Sequence, residues 1–224
     1  MNRKTLPFTL ITLFMLVSAI ELNAQQKPPF WNDIQAFKKQ DSIAPPPKNA
    51  ILFVGSSSFN FWKDVQSYFP DNRIINRGFG GSTLKDVIRY ANDIIFPYQP
   101  KQVVIYCGEN DLAESDTVSA NTVLNRFKYL YGMIKNNLTN ASIVYVSIKP
   151  SPSRQHLMSK MEQTNKLIEN YLEEEEKTAF VDVFHPMLTQ EGKPIQELFI
   201  QDKLHMNAKG YAIWQKAIAP YLLN

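Results

Sequence analysis

The chain has 224 residues, 44% of them hydrophobic and 20% charged, which excludes disordered and fibrous proteins. Lys and Arg number 24 against 21 Asp and Glu, and a net charge of +3, evenly spread, is no nucleic-acid footprint. A single cysteine, Cys107, excludes an intramolecular disulfide, a zinc ribbon and an iron–sulfur site, and three histidines leave little for a His-rich metal centre.

Arg3 and Lys4 precede an uncharged run from Thr5 to Ile20, followed by Glu21-Leu22-Asn23-Ala24 and then Gln25-Gln26. A basic start, a short apolar run and a small residue before a polar segment predict a signal peptide over residues 1–24, cleaved after Ala24. Leu22 is an imperfect occupant of the other small-residue position. The run is shorter than the roughly 20 apolar residues of a spanning helix, and Pro7 dilutes it. An uncleaved membrane anchor is the competing reading. Both place the domain outside the cytoplasm, periplasmic or secreted, and cleavage would leave it without stable membrane association. In residues 25–49, Phe30, Ile34 and Phe37 predict a short amphipathic helix over 30–40. Pro45-Pro46-Pro47 then forces an extended connector. Residues 50–224 remain as one domain, enough for a substantial core.

Five apolar segments read as strands: Ile51–Val54, Ile74–Asn76, Gln102–Cys107, Ile143–Ile148 and Ala179–Val183. Their hydrophobicity is continuous rather than alternating, which suits strands covered on both faces. Helical patterns lie between them. Leu84, Val87, Ile88, Ala91 and Ile95 mark one, opened by a Thr83–Asp86 capping box. Leu124 to Leu138 marks a second, Leu157 to Leu172 a third and Tyr211 to Leu222 a fourth, while Glu173–Glu176 reads as a solvated helix end. Alternating strand and helix predict an α/β/α three-layer sandwich around a five-stranded parallel sheet. Sites in such sheets lie at the carboxyl ends of the strands.

Gly55-Ser56-Ser57-Ser58 follows the first strand, and Asn76-Arg77-Gly78-Phe79-Gly80-Gly81-Ser82-Thr83 spans the end of the second. Gly108-Glu109-Asn110-Asp111 follows the third, and Asp202-Lys203-Leu204-His205 precedes the terminal helix. All four groups fall where one sheet edge would bring them together. An unassisted serine hydroxyl is a poor nucleophile; a histidine must take its proton and a carboxylate must orient that histidine. Asp202 and His205 supply both from one loop. The tetrahedral intermediate also needs fixed donors for its oxyanion, roles suited to a glycine N–H and the Asn110 amide.

The ordered blocks GSSS, NRGFGGST, GEND and DKLH resemble those of the SGNH (GDSL-type) hydrolases, from about Ala50 to Leu222. The resemblance implies a flavodoxin-like fold and a serine esterase that requires neither metal nor organic cofactor. It implies Ser57 as nucleophile, Asp202 and His205 as the rest of the triad, and Ser57, Gly81 and Asn110 as oxyanion donors. Ser56 departs from the family, which usually has Asp there. The GSSS and GEND variants resemble the branch that includes platelet-activating-factor acetylhydrolases and sugar-ester deacetylases. The expected substrate is a small-molecule or glycan ester bearing a short acyl group, with a lysophospholipase or lipase-like acylhydrolase as the alternative.

Each residue also has a structural reading. Ser56 and Ser58 are helix-cap or loop groups. Asp182 and His185 repeat the Asp202–His205 spacing, but Asp182 falls inside an apolar strand segment and His185 precedes a proline, so this pair reads as structural or rim-forming. His156 reads as a surface or packing residue and Cys107 as a core residue. Phe59, Phe61 and Trp62 either line an acyl or sugar pocket or anchor the core. Glu109 is either a support for the site or merely solvated. Lys149 to Arg154 is either a substrate-facing basic border or a connecting turn. Two non-catalytic functions compete: a phosphate- or nucleotide-binding module, weakened by Thr83 where a dinucleotide fingerprint needs glycine, and a glycan-binding domain, for which a complete triad would be superfluous.

Overall fold

The structure, a computed structural model, describes residues 27–223. The expected signal peptide lies outside the described residues. Of the described residues, 27–31 and 32–223 belong to two separate compact units. Residues 27–31 make a short turn. The sheet and the residues of the candidate site all belong to the second.

Five strands, β1 (Ile51–Gly55), β2 (Ile74–Gly78), β3 (Gln102–Tyr106), β4 (Ser142–Val146) and β5 (Thr178–Val181), form one sheet in the order β2-β1-β3-β4-β5. All neighbouring strands are parallel. Every residue of β1 and β3 is buried, which is why their apolar runs are unbroken. The edge strand β5 is half-buried at Thr178, Ala179 and Phe180. Nine helices occur among the described residues: α1 (Trp31–Ile43), α2 (Ser57–Phe61), α3 (Val65–Tyr68), α4 (Leu84–Arg89), α5 (Ala91–Ile94), α6 (Glu109–Glu114), α7 (Ala120–Asn137), α8 (Met158–Glu173) and α9 (Ala208–Ile218). Among the described residues no helix is long and apolar enough to cross a membrane.

The flavodoxin-like α/β sandwich is as the sequence predicts, with local differences. The pattern from Leu84 to Ile95 is two helices, because Tyr90 leaves helical geometry at φ −102° and ψ 9°. The Asp86 carboxylate accepts from both the N–H and the hydroxyl of Thr83 at the start of α4 (3.0 and 2.6 Å). The terminal helix stops at Ile218, and Pro220 continues only as a 3₁₀ turn. His156 lies in the 3₁₀ segment Pro152–Leu157 ahead of α8. Since β5 ends at Val181, Asp182 sits one residue beyond the strand rather than inside it.

The core on one side of the sheet is aromatic. Phe53, Phe59, Trp62, Tyr106 and Trp214 are fully buried, with Phe59 edge-on to Trp214 at 5.9 Å and Tyr106 4.7 Å from it. Two of these residues belong to or adjoin α2, so the short helix after β1 is fastened from below. From α9, Tyr211 stacks on Trp62 (4.8 Å) and donates its hydroxyl to the Ser58 carbonyl (2.8 Å). The helix after the first strand is thereby tied to the last helix of the chain. At the β2 edge, Arg77 lies over the Phe37 ring at 5.1 Å and pairs with Asp41. This holds α1 across an edge strand whose backbone would otherwise be open.

Candidate active site

Gly55 ends β1 at φ +139°, and a Cβ there would lie 1.8 Å from the Tyr106 carbonyl oxygen, so no other residue fits. This close approach lets the chain turn at once into α2. Ser56 adopts an extended cap conformation, and its carbonyl accepts the N–H groups of Phe59 and Asn60 (3.1 Å each). Its own N–H donates to the Tyr106 carbonyl (3.0 Å), and the residue is buried. Ser58 is buried too, whereas Ser57 is half-exposed. Neither the hydroxyl nor the N–H of Ser57 has a hydrogen-bond partner among the described residues. Ser57 is the first residue of a helix, where an N–H has no intrahelical acceptor.

The loop after β2 turns at Gly81, φ +81° and exposed, a conformation that favours glycine. Its N–H also lacks an acceptor among the described residues. Next to it the Ser82 hydroxyl donates to the Gly55 carbonyl (3.0 Å), joining the loops after β1 and β2. Asp111 joins the loops after β2 and β3. Its buried carboxylate accepts the Leu84 N–H (2.9 Å) and pairs with Arg126 (2.6 Å). Burial raises its pKa despite these bonds.

Asn110 lies between these anchors. Its Nδ2 donates to the Ser82 carbonyl (3.0 Å) and its Oδ1 accepts from Arg154 Nη2 (2.9 Å). Glu109 is buried and meets three groups: Lys149 Nζ at 3.0 Å, Arg154 Nη1 at 3.1 Å and the Tyr106 hydroxyl at 2.5 Å. Burial works to raise the Glu109 carboxyl, but Lys149 and Arg154 outweigh it and hold it below the usual carboxylate range. Burial pushes the Tyr106 phenol well above its ordinary value, so it stays a neutral donor. Glu109 is therefore buried and paired rather than solvated. Lys149 is buried against Glu109, so the basic stretch from Lys149 to Arg154 is not a substrate-facing border along its length.

His205 and Asp202 meet in the loop before α9. His205 Nδ1 lies 2.6 Å from Asp202 Oδ2, and Asp202 Oδ1 accepts the N–H groups of Leu204 and His205 (2.9 Å each). Burial works to raise the Asp202 carboxyl, but the bonds from the His205 ring and from these two N–H groups prevail and hold it at about 2. A carboxylate on Nδ1 fixes the proton there and leaves the Nε2 lone pair outward. The imidazole stacks on Phe61 at 4.4 Å between centroids and 26° between planes. Phe61 follows Ser57 by four residues on α2, and such positions share a helix face. No direct hydrogen bond joins Ser57 to His205; the imidazole meets α2 through Phe61, one helical turn on from Ser57. Catalytic hydrogen bonds are commonly long before substrate binds.

Phe59 and Trp62 are core anchors, and Phe61, 51% exposed, is not. Cys107 is buried, and burial pushes its thiol well above the ordinary range. His156 is exposed. Arg126, which pairs with Asp111 of the GEND block, carried no recognisable signal in the sequence. A cavity of about 570 Å³ adjoins the loop, lined by Ser115, Asp116, Ser153, Arg154, His156 and Asp202 among others. Ser57 and His205 are not in its walls, while Asp202 and Leu204 are. Among the described residues no group of three or more His, Cys, Asp or Glu could hold a metal ion.

Comparison with known proteins gives concordant results. Residues 49–213 match the model of the GDSL-like lipase/acylhydrolase family. A Streptococcus pneumonia protein identified provisionally as a platelet activating factor superposes with TM-score 0.75 at 21% identity, covering 95% of this chain and 99% of that one. A GDSL-like lipase from Bacteroides thetaiotaomicron superposes with TM-score 0.69 at 23% identity over 84% of this chain and 95% of that one. A catalytic mutant of an acetylxylan esterase from Geobacillus stearothermophilus gives TM-score 0.63 at 16% identity over 79% and 94%. The N-acylneuraminate cytidylyltransferase of Escherichia coli is 26% identical over 175 residues, which is 75% of this chain and 39% of that enzyme. The chain thus spans about two fifths of that relative's length.

Proposed function

The chain belongs to the GDSL-like lipase/acylhydrolase family and is a carboxylic ester hydrolase, and from this premise we propose that it is an exported serine esterase releasing short acyl groups, acetyl above all, from carbohydrate. The observation that carries the reading is the Asp202–His205 pair stacked on the helix that presents a free Ser57 hydroxyl. Ser57 Oγ attacks the ester carbonyl while its proton passes to His205 Nε2, and Asp202 stabilises the imidazolium. Negative charge collects on the carbonyl oxygen, where the N–H groups of Ser57 and Gly81 and the Asn110 amide receive it. Each such donor is worth roughly 3–4 kcal/mol to the transition state. Collapse of the intermediate breaks the ester C–O bond, and His205 returns the proton to the departing alcohol. Water, deprotonated by His205, then attacks the acyl-enzyme; the acid leaves and Ser57 recovers its proton.

The cavity beside Asp202 has a mixed lining, in which Ser115, Asp116, Ser153 and His156 offer donors and acceptors to a hydroxylated alcohol moiety beside the apolar Leu112, Ala113, Leu157 and Leu204. The likeness to an acetylxylan esterase points the same way. Initial rates on nitrophenyl esters from two to twelve carbons, together with release of acetate from acetylated xylo-oligosaccharides, test the substrate class. The expected profile falls steeply beyond four carbons and includes acetate release; a rise toward long chains would replace this reading with a lipase-like one. The apolar run before Ala24 supports export. N-terminal sequencing of protein recovered outside the cytoplasm is expected to begin at Gln25, and retention of an intact N-terminus in the cytoplasm would contradict it.

A further inference from the structure

Arg154 lines the cavity beside Asp202, and both of its terminal nitrogens already hold protein groups. One nitrogen, Nη1, lies 3.1 Å from Glu109 Oε1, and the other, Nη2, donates to Asn110 Oδ1 at 2.9 Å. Glu109 is itself held by Lys149 and the Tyr106 hydroxyl, so the guanidinium is braced on a buried frame. We propose that Arg154 is a positioning residue that fixes which way the Asn110 amide faces and strengthens the hydrogen bond it offers the oxyanion. The inference rests on the oxyanion role assigned to Asn110 above.

The orientation follows from the partners alone. A guanidinium only donates and a backbone carbonyl only accepts. Arg154 must therefore hold Oδ1, and the Ser82 carbonyl must take one hydrogen of Nδ2. The second hydrogen of Nδ2 is left unspent among the described residues, on an amide held against Ser82, the residue after Gly81, whose N–H is the other donor proposed for the oxyanion. Without Arg154 the orientation of the amide rests on the Ser82 carbonyl alone. A cation on Oδ1 also draws electron density from the amide, making the remaining N–H a stronger donor. The same turn touches the triad loop, because the Ser153 N–H donates to the Lys203 carbonyl (3.1 Å), one residue after Asp202.

The test is a double-mutant cycle on nitrophenyl acetate with Arg154→Lys, Arg154→Met, Asn110→Ala and the corresponding doubles. Lysine keeps a cation for Glu109 but cannot span both partners as a fork does, so Arg154→Lys isolates the bond to Asn110 if Arg154→Met fails to fold. Asn110→Ala is expected to lower kcat about 100-fold or more. Arg154→Lys is expected to lower kcat about 10-fold or more with KM within about twofold, since only transition-state stabilisation is lost. In the Asn110→Ala background the same change is expected to alter kcat less than about twofold, the mark of one acting through the other. Wild-type kcat in Arg154→Lys, or an equal loss in both backgrounds, would overturn the inference while leaving Asn110 in its role. Undiminished kcat in Asn110→Ala would overturn the role of Asn110 and the inference together.

Discussion

The molecule contains two Asp-x-x-His loops, and they are nearly superposable in their own bonding. In each, the aspartate accepts N–H groups two and three residues on: at 2.9 Å from both Leu204 and His205, and at 2.8 and 3.2 Å from Phe184 and His185. In each, the second carboxylate oxygen holds the histidine Nδ1, at 2.6 Å for Asp202 and 2.8 Å for Asp182. The aspartate side chains are similarly exposed, 43% and 41%; the histidines are not, at 16% and 67%. His205 is covered by Phe61, on the helix that begins with Ser57. His185 has only the edge of its neighbour Phe184, at 5.4 Å, and no serine-bearing helix stacks on it. The spacing generates the pair; what faces the other side of the imidazole decides whether the pair has work to do.

That contrast is breakable by substitution. His205→Ala is expected to reduce kcat/KM for nitrophenyl acetate by about 10,000-fold or more, and His185→Ala to leave it within about twofold; comparable losses in both would erase the distinction. Asp202→Asn removes the group that fixes the imidazole tautomer and is expected to cost about 1,000-fold or more in kcat, against no measurable change for Asp182→Asn. The aromatic contacts should separate in a different way. Phe61→Ala, at a half-exposed position, is expected to lower kcat about fivefold with little change in Tm, the scale of one aromatic pair. Phe184→Leu, at a buried position, is expected to lower Tm by a few degrees with kcat preserved.

The smallest effect concerns acid. Asp202 is held at about 2 against an ordinary 3.8, so its stabilisation is complete above the ordinary value and is lost as pH falls through about 2. The stability gap between wild type and Asp202→Asn is therefore expected to be constant at neutral pH and to close between about pH 4 and pH 2, as read by denaturant melts. A gap that closes near neutrality would contradict the depressed value.

How much of the fold and the site could be read from the chain depends on separation along it. The strands were legible because burial on both faces leaves apolar runs such as Ile51–Val54 and Val103–Tyr106 without polar interruptions. Both Asp-x-x-His pairs were legible because three residues of spacing build them locally. The frame around Asn110 was not. Arg154 is 44 residues from Asn110, Asp111 is 27 from Leu84, and Lys149 is 40 from Glu109. Sequence patterns do not say which charges topology will pair, so a stretch containing Lys149 and Arg154 read either as a substrate-facing basic border or as a connecting turn. The break at Tyr90 was hidden for a related reason, since the apolar spacing runs through it unchanged. Phe61, Phe59 and Trp62 look alike in the sequence, and only the fold separates the first, exposed and stacked on His205, from the other two, which are buried.

The most direct test of Ser57 as the activated nucleophile is covalent labelling of the intact protein with an organophosphonate that traps activated serines, followed by peptide mass spectrometry. A single adduct on Ser57, lost in His205→Ala and retained in His185→Ala, is the predicted result. An adduct on Ser56 or Ser58, or labelling that depends on His185, would contradict it.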